Sequence, residues 1–262
     1  MSGWHRRREA VGQSRVSGRN ARPRRSPSPR PEVTPLPAVR RPYVLLFDVN
    51  ETLTDMAPLA ARLEHVGLPG HLLTAWFAGV LRDGVALTLA GGHASFAAVA
   101  GEGLRALAAA EEGASDPEQA AAYVLAGLPD LPLHPDVPRG VRALHAAGYR
   151  LATLTNGSAD TTRAVLDRAG LTDCFTTHLD VAGPGRWKPA REAYAYALDA
   201  VGVAADEALL VSVHPWDIDG AGRAGLTTAW LRRTSHPYPS VARPAGLTAT
   251  SLPDLAARLG AE

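Results

Sequence analysis

The sequence predicts an α/β protein with a Rossmann-like parallel sheet core and an inserted helical cap after the first strand. Two observations indicate this fold. After Pro135, short apolar runs that are typical of buried strands alternate with helical segments. A helical stretch follows the first strand that is too long for an ordinary crossover connection. We therefore expect an α/β core at residues 42–56 and 134–262, and a helical cap at residues 57–133.

The first strand is predicted at residues 43–47, an apolar run that follows a proline and delivers Asp48 at its carboxyl end. An uninterrupted apolar run is expected of a strand covered on both faces. From Met56 to about Leu133, leucine, alanine and aromatic residues recur at helical spacing. Beyond this stretch the sequence predicts strands at residues 149–155, 177–182, 208–213 and 227–231, and helices at residues 138–147, 159–169, 189–201, 217–224 and 253–260.

The charge of the chain is distributed unevenly. The formal net charge is +1, but residues 1–41 hold eleven arginines against two glutamates. This segment is also rich in proline, serine and glycine and has few apolar runs, so it buries too little surface to offset its ordering entropy. We expect a disordered Arg/Pro-rich N-terminal extension at residues 1–41.

Composition also restricts the compartment and the partners. The one cysteine, Cys174, rules out an intrachain disulfide and a metal site built on thiolates, which favours a reducing, cytoplasmic compartment. The sequence has no run of about 18 consecutive apolar residues, the length of a membrane span, so we expect no membrane partner. The basic segment lacks the aromatic residues interleaved with basic ones that favour nucleic-acid binding. We expect a small-molecule substrate and no nucleic-acid partner, and a homodimer is left open.

Polar residues follow the predicted strands where ligands bind in such a sheet, beyond the carboxyl ends. Four segments share this property: residues 48–52, residues 155–158, the Lys188-Pro189 pair ahead of a helix, and residues 212–217.

These segments resemble the four motifs of the haloacid dehalogenase superfamily, in the same order and at the same structural places. The resemblance covers roughly residues 42–235 and is strongest to the type II 2-haloacid dehalogenases. It lies in the residues 47–53, 155–158 and 212–217, and in Lys188-Pro189 followed by Tyr194. The resemblance implies hydrolytic dehalogenation of a short 2-haloalkanoic acid through an aspartyl ester at Asp48, with neither a metal nor an organic cofactor.

Composition independently singles out Lys188. It is the only lysine, since every other one of the 27 Lys and Arg residues is arginine. Such a chain keeps a lysine where a compact ammonium is needed in place of a planar guanidinium. A carboxylate such as Asp48, behind a buried strand, needs a cation, and Lys188 supplies one. Attack by that carboxylate would divide one displacement into two easier steps.

The resemblance and the side-chain chemistry imply further roles. The turn amides of Val49 and Asn50 would face the anionic group of the substrate. Thr155, with the amide of Asn156, would bind the substrate carboxylate, and the Asn156 side chain and Trp216 would line a halide site. The remaining residues would act around the nucleophile: Asp217 would orient Lys188 and the hydrolytic water, Ser212 and Tyr194 would brace that pair, and Thr52 would hydrogen-bond to Asp48.

The sequence departs from the family pattern at two places. His214 stands where well-known members carry asparagine, and it is either a polar substitute or a base near the ester. Phe77 aligns with the halide-binding arginine of the family, and Arg82 lies five residues on, about 140° around a helix. Phe77 would suit a different leaving group or a larger apolar substrate.

Two alternative functions remain open. The first is a magnesium-dependent phosphatase of the same superfamily. Such enzymes carry an aspartate two residues after the nucleophile and an acidic metal ligand early in the fourth motif, where this chain has Asn50 and Val213. We therefore expect no metal. The second alternative is a non-catalytic binding protein on this fold, with residues 1–41 as its tether.

Overall fold

A parallel sheet forms the centre of the protein, as the sequence predicts. The structure is a computed structural model that describes residues 43–261. Its strands are β1 (Val44–Phe47), β2 (Arg150–Thr155), β3 (Phe175–Asp180), β4 (Ala208–Ser212), β5 (Thr227–Leu231) and β6 (Leu247–Ala249). They pair in the order β3-β2-β1-β4-β5-β6, and all five pairings are parallel. The predicted α/β class is confirmed.

Helices precede, connect and cover these strands. Four lie between β1 and β2: α1 (Leu59–His65), α2 (Leu72–Leu89), α3 (Phe96–Ala110) and α4 (Pro117–Leu125). The others are α5 (Val137–Ala146), α6 (Ala159–Arg168), α7 (Arg191–Val201), α8 (Pro215–Ala224) and α9 (Leu252–Arg258). Short 3-10 turns occupy Leu128–Asp130, Thr172–Cys174 and Ala205–Glu207.

Both faces of the sheet are buried. Leu45 and Phe47 of β1 belong to a core cluster with residues of α5 and α9. Val44 and Leu46 belong to a second cluster with residues of α7 and α8. Side chains alternate between the two faces along a strand, so β1 must be apolar at every position. The four residues of β1 are therefore an uninterrupted apolar run.

The helices α1 to α4 share a third hydrophobic cluster. Its members include Leu63, Trp76, Leu104 and Val124, together with Trp187 from the segment after β3. The Trp187 side chain is fully buried. The limits of the cap expected from the sequence, residues 57–133, stay a prediction.

Trp187 is held by α2 and by the residues that follow it. Its backbone N–H donates to Thr88 Oγ1 at 3.0 Å, and its indole N–H donates to Ala94 O at 2.9 Å. Its ring stacks on Phe96 with the centroids 6.1 Å apart. A Cβ atom at Gly84 would lie 2.3 Å from Cε3 of the indole, so α2 needs a glycine there. The helices between β1 and β2 thus fix the residue that precedes Lys188.

Helix α2 is unusually apolar. It has 18 residues and a mean hydropathy of 1.4, which by length and composition alone would allow a membrane span. It nevertheless carries the ion pair of Arg82 and Asp83 and packs on α3. These contacts are those of a helix inside a folded helical layer.

The observed elements differ from the predictions mainly at their ends. Strand β6 is not predicted at all, β3 begins two residues before the predicted strand, and α8 begins at Pro215 instead of residue 217. The extension predicted at residues 1–41 lies outside the residues that the structure describes.

Candidate active site

The sheet order brings three polar strand ends together. Phe47 of β1 lies opposite Thr153 of β2 and Val211 of β4. Asp48 and Ser212 are the next residues of their segments, and β2 ends two residues beyond Thr153, at Thr155. Because parallel strands end at the same edge, segments more than one hundred residues apart in sequence meet there.

Lys188 lies between two buried carboxylates. Its Nζ atom donates to Asp48 Oδ1 at 2.8 Å and to Asp217 Oδ2 at 2.7 Å. The Lys188 and Asp217 side chains have no exposed surface, and 6% of the Asp48 side chain is exposed. In so little water these charge-assisted hydrogen bonds are strong, and removing one partner leaves a buried charge unpaired.

The second oxygen of Asp48 is oriented by hydroxyl groups. Thr52 Oγ1 donates to Asp48 Oδ2 at 2.7 Å and accepts a hydrogen bond from the Val213 N–H at 3.0 Å. Ser212 Oγ donates to the same oxygen over 3.4 Å and accepts from the His214 N–H at 3.1 Å. The backbone after β4 thereby fixes both hydroxyls that hold the Asp48 carboxylate.

Tyr194 holds the second carboxylate. Its hydroxyl donates to Asp217 Oδ1 at 2.7 Å, while Oδ2 of Asp217 accepts from Lys188. Burial and the nearby Asp217 charge raise the pKa of Tyr194 well above its usual value, so the phenol keeps its proton and remains a donor. Asp217 is therefore bonded at both oxygens.

The charges of the three central groups depend on one another. Burial alone would lower the pKa of Lys188, but Asp217 and Asp48 together raise it, so the ammonium persists. Burial would raise the pKa of Asp48, but Lys188 and His214 lower it below its ordinary value. For Asp217, burial prevails over Lys188 and raises the pKa. Asp48 is thus the carboxylate that the site holds most firmly as an anion.

The Asn156 side chain clamps the backbone of Lys188. Its Oδ1 accepts from the Lys188 N–H at 2.8 Å, and its Nδ2 donates to Lys188 O at 3.2 Å. Thr155 Oγ1 accepts from the Gly157 N–H at 2.9 Å. The sequence predicts both side chains as ligand groups, but these contacts leave only one amide hydrogen of Asn156 and the hydroxyl hydrogen of Thr155 for a ligand.

Two cavities adjoin this arrangement. A smaller cavity of about 260 Å³ is lined by Val49, Asn50, Thr155 and Asn156, among others, and by Phe96 of α3. A larger cavity of about 640 Å³ has Glu51, Phe77, His214, Trp230 and Arg233 in its wall. Of the residues that follow Asp48, Val49 and Asn50 line the smaller cavity and Glu51 lines the larger one.

His214 faces the nucleophile candidate from the larger cavity. Its Nε2 atom is 3.7 Å from Asp48 Oδ2, 3.6 Å from Glu51 Oε2 and 3.3 Å from Asn50 O. Its ring stacks on Trp216 with the centroids 5.1 Å apart. The Trp216 ring centroid in turn lies 5.9 Å from Lys188 Nζ, within the range of a cation–π contact.

The cap contributes an aromatic residue and no arginine at the expected position. Phe77 is buried, and its ring centroid lies 6.4 Å from that of His214. Arg82 is 75% exposed, pairs with Asp83 at 2.7 Å, and lines neither cavity. Arg233, whose guanidinium is in the wall of the larger cavity, donates to Asp136 Oδ1 and to Thr52 O.

Sequence reasoning missed two residues of this site. Trp187 anchors the lysine segment, and its position directly before Lys188 is the signal that would have identified it. Glu51 has a left-handed backbone with φ of 61° and faces His214, a conformation that is uncommon for a residue other than glycine. No cluster of three or more metal-ligating side chains occurs within residues 43–261.

Comparisons of sequence and fold relate this chain to known hydrolases. A family profile described as haloacid dehalogenase-like hydrolase matches residues 44–225. An (S)-2-haloacid dehalogenase of Pseudomonas sp. strain YL is 35% identical over 117 residues, which are 45% of this chain and 50% of that protein. The chain thus spans about half the length of that relative.

Two further comparisons extend over more of the chain. A phosphoserine phosphatase of Thermus thermophilus is 31% identical over 232 residues, covering 77% of this chain and 93% of that protein. The structure of an L-2-haloacid dehalogenase from Xanthobacter autotrophicus superposes with a TM-score of 0.75 at 25% identity, covering 82% of this chain and 98% of the other. Since the family profile extends from β1 to the end of α8, which is more than half of the chain, the chain belongs to the haloacid dehalogenase-like hydrolase family.

Proposed function

We propose that this hydrolase removes halide from a short 2-haloalkanoic acid through an aspartyl ester at Asp48, without a metal. The observation that carries this proposal is the position of Lys188, whose ammonium lies 2.8 Å from Asp48 Oδ1 and 2.7 Å from Asp217 Oδ2. One ammonium thus bonds to both carboxylates and offsets part of their negative charge without a metal. Named relatives that act on 2-haloacids add support.

In the first step, a carboxylate oxygen of Asp48 bonds to C2 of the substrate. The carbon–halogen bond breaks with its electron pair, and halide leaves. The lowered pKa of Asp48 keeps the carboxylate anionic, as a nucleophile requires. Thr52 and Ser212 restrict its rotation, which lowers the entropic part of the barrier.

In the second step, water attacks the carboxyl carbon of the ester. The bond from that carbon to the substrate oxygen then breaks. That oxygen takes one proton of the water and the other proton is released to solvent, so a 2-hydroxy acid and the Asp48 carboxylate are formed. Negative charge develops on the remaining carboxyl oxygen, and the Lys188 ammonium beside Oδ1 is placed to stabilise it. Asp217 and Tyr194 hold the lysine in that position.

The carboxylate of the substrate would bind in the smaller cavity. The free hydroxyl hydrogen of Thr155, the free amide hydrogen of Asn156 and the turn after β1 with Val49 and Asn50 are there. Asp180 also lies in the wall of this cavity, but its carboxylate accepts hydrogen bonds from the Ala159 and Ala182 N–H groups. The donors that remain suit an anion. The halogen and the substituent on C2 would then face His214 and Phe77, whereas Trp216, predicted to line the halide site, is in the wall of neither cavity.

A second candidate function is phosphate-ester hydrolysis with magnesium. The similarity to a protein named phosphoserine phosphatase favours it. Against it stand Asn50, which has no acidic proton for a leaving alcohol, and Val213, which has no metal-binding oxygen in its side chain. Lys188 also lies between the two buried carboxylates.

A paired assay separates the two candidates. We expect halide release from 2-chloropropionate in the presence of a chelator, and no comparable phosphate release from an aryl phosphate with magnesium. Asp48→Asn should abolish halide release, because an amide is a poor nucleophile. Strict magnesium dependence would favour the phosphatase, and full activity of Asp48→Asn would refute the assignment of the nucleophile.

A further inference from the structure

We propose that Arg233 is a positioning residue for the Asp48 nucleophile and that it acts through Thr52, whose backbone carbonyl it binds. The proposal rests on the function proposed above and adds a residue outside the four segments that resemble the family motifs. It is carried by hydrogen bonds on both sides of Thr52. The Thr52 hydroxyl contacts Asp48, and the Thr52 carbonyl oxygen contacts the Arg233 guanidinium.

Arg233 binds the Thr52 carbonyl through two of its nitrogen atoms. Nε donates to Thr52 O at 3.1 Å, and Nη2 donates to the same oxygen at 2.9 Å. Because the guanidinium is a rigid fork, two donors that meet at one oxygen restrict both the position and the direction of that carbonyl. Threonine is β-branched and has few χ1 rotamers, so the position of its backbone decides where its hydroxyl lies.

The turn that carries Thr52 has a backbone that needs support from outside. The preceding residue, Glu51, has φ of 61°, in the left-handed region that residues other than glycine rarely adopt. Such a conformation persists only where the surrounding structure determines it. Arg233, which follows the end of β5 closely, supplies one of these constraints.

Asp136 holds Arg233 in this orientation. Arg233 Nη1 donates to Asp136 Oδ1 at 2.7 Å, and Asp136 Oδ2 accepts from the Leu252 N–H at 2.8 Å. The two side chains are only 15% and 19% exposed, so little water competes for these bonds. Burial would raise the pKa of Asp136, but the hydrogen bonds from Arg233 and Leu252 lower it, so the carboxylate stays charged. The guanidinium thus joins the turn after β1 to the start of α9.

The influence of Arg233 on Asp48 passes through hydrogen bonds and not through charge. Lys188 and His214 are the groups whose charge lowers the pKa of Asp48. Loss of Arg233 would leave that charge balance in place but free the Thr52 backbone, so the Thr52 hydroxyl would hold the carboxylate less firmly. Displacement of a reacting group by about 1 Å is enough to slow a reaction about 100-fold.

A double-variant cycle of Arg233→Met and Thr52→Val tests whether Arg233 acts through Thr52. The readouts are KM and the single-turnover rate constant of halide release from 2-chloropropionate, measured at saturation so that it does not depend on the fraction of folded protein. We expect Arg233→Met to lower the rate constant about 10- to 100-fold with little change in KM. In the Thr52→Val background, which lacks the hydroxyl, the same change should lower it less than about threefold. Arg232→Met, at an exposed neighbouring arginine, is the matched control and should react like the wild type.

Two results for the rate constant would overturn the inference: a wild-type value in Arg233→Met, or equal reductions by that change in the wild-type and Thr52→Val backgrounds. A rise in KM alone would instead make Arg233 a ligand-binding residue of the larger cavity.

Two further measurements keep the test decisive. If Arg233→Met melts below the assay temperature, Asp136→Asn, which removes the carboxylate left unpaired, is added to every member of the cycle. If Thr52→Val releases no halide, Arg233→Lys must react faster than Arg233→Met, because an ammonium can still donate to Thr52 O; equal rates would overturn the inference. Absence of halide release from the wild-type protein would refute the proposed function, whereas wild-type release with any of the contrary results would refute this inference alone.

Discussion

At the scale of single residues, the compact ammonium of Lys188 determines the charge of the site. Its side chain has no exposed surface, and its two hydrogen bonds reach carboxylates that belong to different segments. A guanidinium is planar and longer, and it directs its hydrogens in a fixed fork. The geometry thus explains why a chain that otherwise uses arginine has a lysine here.

Lys188→Arg should therefore impair the enzyme although the charge is kept. We expect a loss of about 100-fold in halide release, because displacement of the Asp48 carboxylate by about 1 Å is enough for that effect. Steady-state assays and melting temperature measure the two consequences separately. Arg258→Lys on α9, where the guanidinium is half exposed, is the reverse control and should leave the rate unchanged. Near-normal turnover of Lys188→Arg would show that the compact cation is not required.

Phe77 marks the clearest departure from the family pattern. If its side chain faces the leaving group, Phe77→Arg should raise halide release by about 10- to 100-fold, which corresponds to about 1.4 to 2.7 kcal/mol of transition-state stabilisation. A guanidinium in place of a buried phenyl ring also reduces stability, so the melting temperature must be measured alongside. Arg82→Ala removes an exposed arginine and should have no effect. A stable Phe77→Arg variant with unchanged or lower release would show that position 77 does not face the halide.

Single residues also show what the sequence can and cannot predict about the site. The motifs were sufficient to select Asp48, Lys188 and Asp217, because the fold requires polar groups at strand ends. They could not show that Asn156 bonds to the Lys188 backbone 32 residues away. An asparagine amide hydrogen-bonds to whichever backbone groups the tertiary structure brings near, and the local sequence does not specify those groups.

At the scale of elements, α2 is coupled to the segment that carries the lysine. Gly84 permits the indole of Trp187 to pack against the helix backbone, and Thr88 accepts from the Trp187 N–H. The next residue is Lys188. A shift of α2 would thus be transmitted to the ammonium over a single peptide unit.

Gly84→Ala tests this coupling. The added methyl group would lie 2.3 Å from the indole, so we expect a loss of about 1–3 kcal/mol in the free energy of unfolding and slower halide release. Gly79→Ala on the same helix is the matched control, since its nearest neighbour atom is 3.9 Å away at the end of the Arg82 side chain. There alanine should stabilise the helix by roughly 0.5–1 kcal/mol. Equal stability changes in the two variants would contradict the packing account.

The strands differ in how clearly their sequences predict them. β1 and the first four residues of β4 are uninterrupted apolar runs because both faces are buried, and the two strands are predicted to within a residue. β6 has only three residues, of which Thr248 is exposed, so no periodic pattern is present to detect. It forms because the exposed edge of β5 provides backbone partners, which is a tertiary effect.

At the scale of the whole molecule, the site depends on the sheet order. The residues that hold Asp48 come from the ends of β1 and β4 and from the lysine segment after β3, and only the order β3-β2-β1-β4-β5-β6 brings them together. The sheet provides Asp48, the proposed nucleophile, and the helices after β1 contribute Phe77 to the wall of the larger cavity. The central claim that follows is that Asp48 becomes covalently bound to the substrate.

Isotope labelling in a single turnover tests that claim most directly. The protein, in excess over 2-chloropropionate, is allowed to react in water enriched in ¹⁸O. If Asp48 supplies the oxygen that bonds to C2 and water then attacks the ester carbon, the first 2-hydroxypropionate formed carries unlabelled oxygen in its hydroxyl group, and one ¹⁸O atom appears in the peptide containing Asp48. Product labelled with ¹⁸O in the first turnover, with an unlabelled Asp48 peptide, would mean that water attacks the substrate directly and would contradict the account.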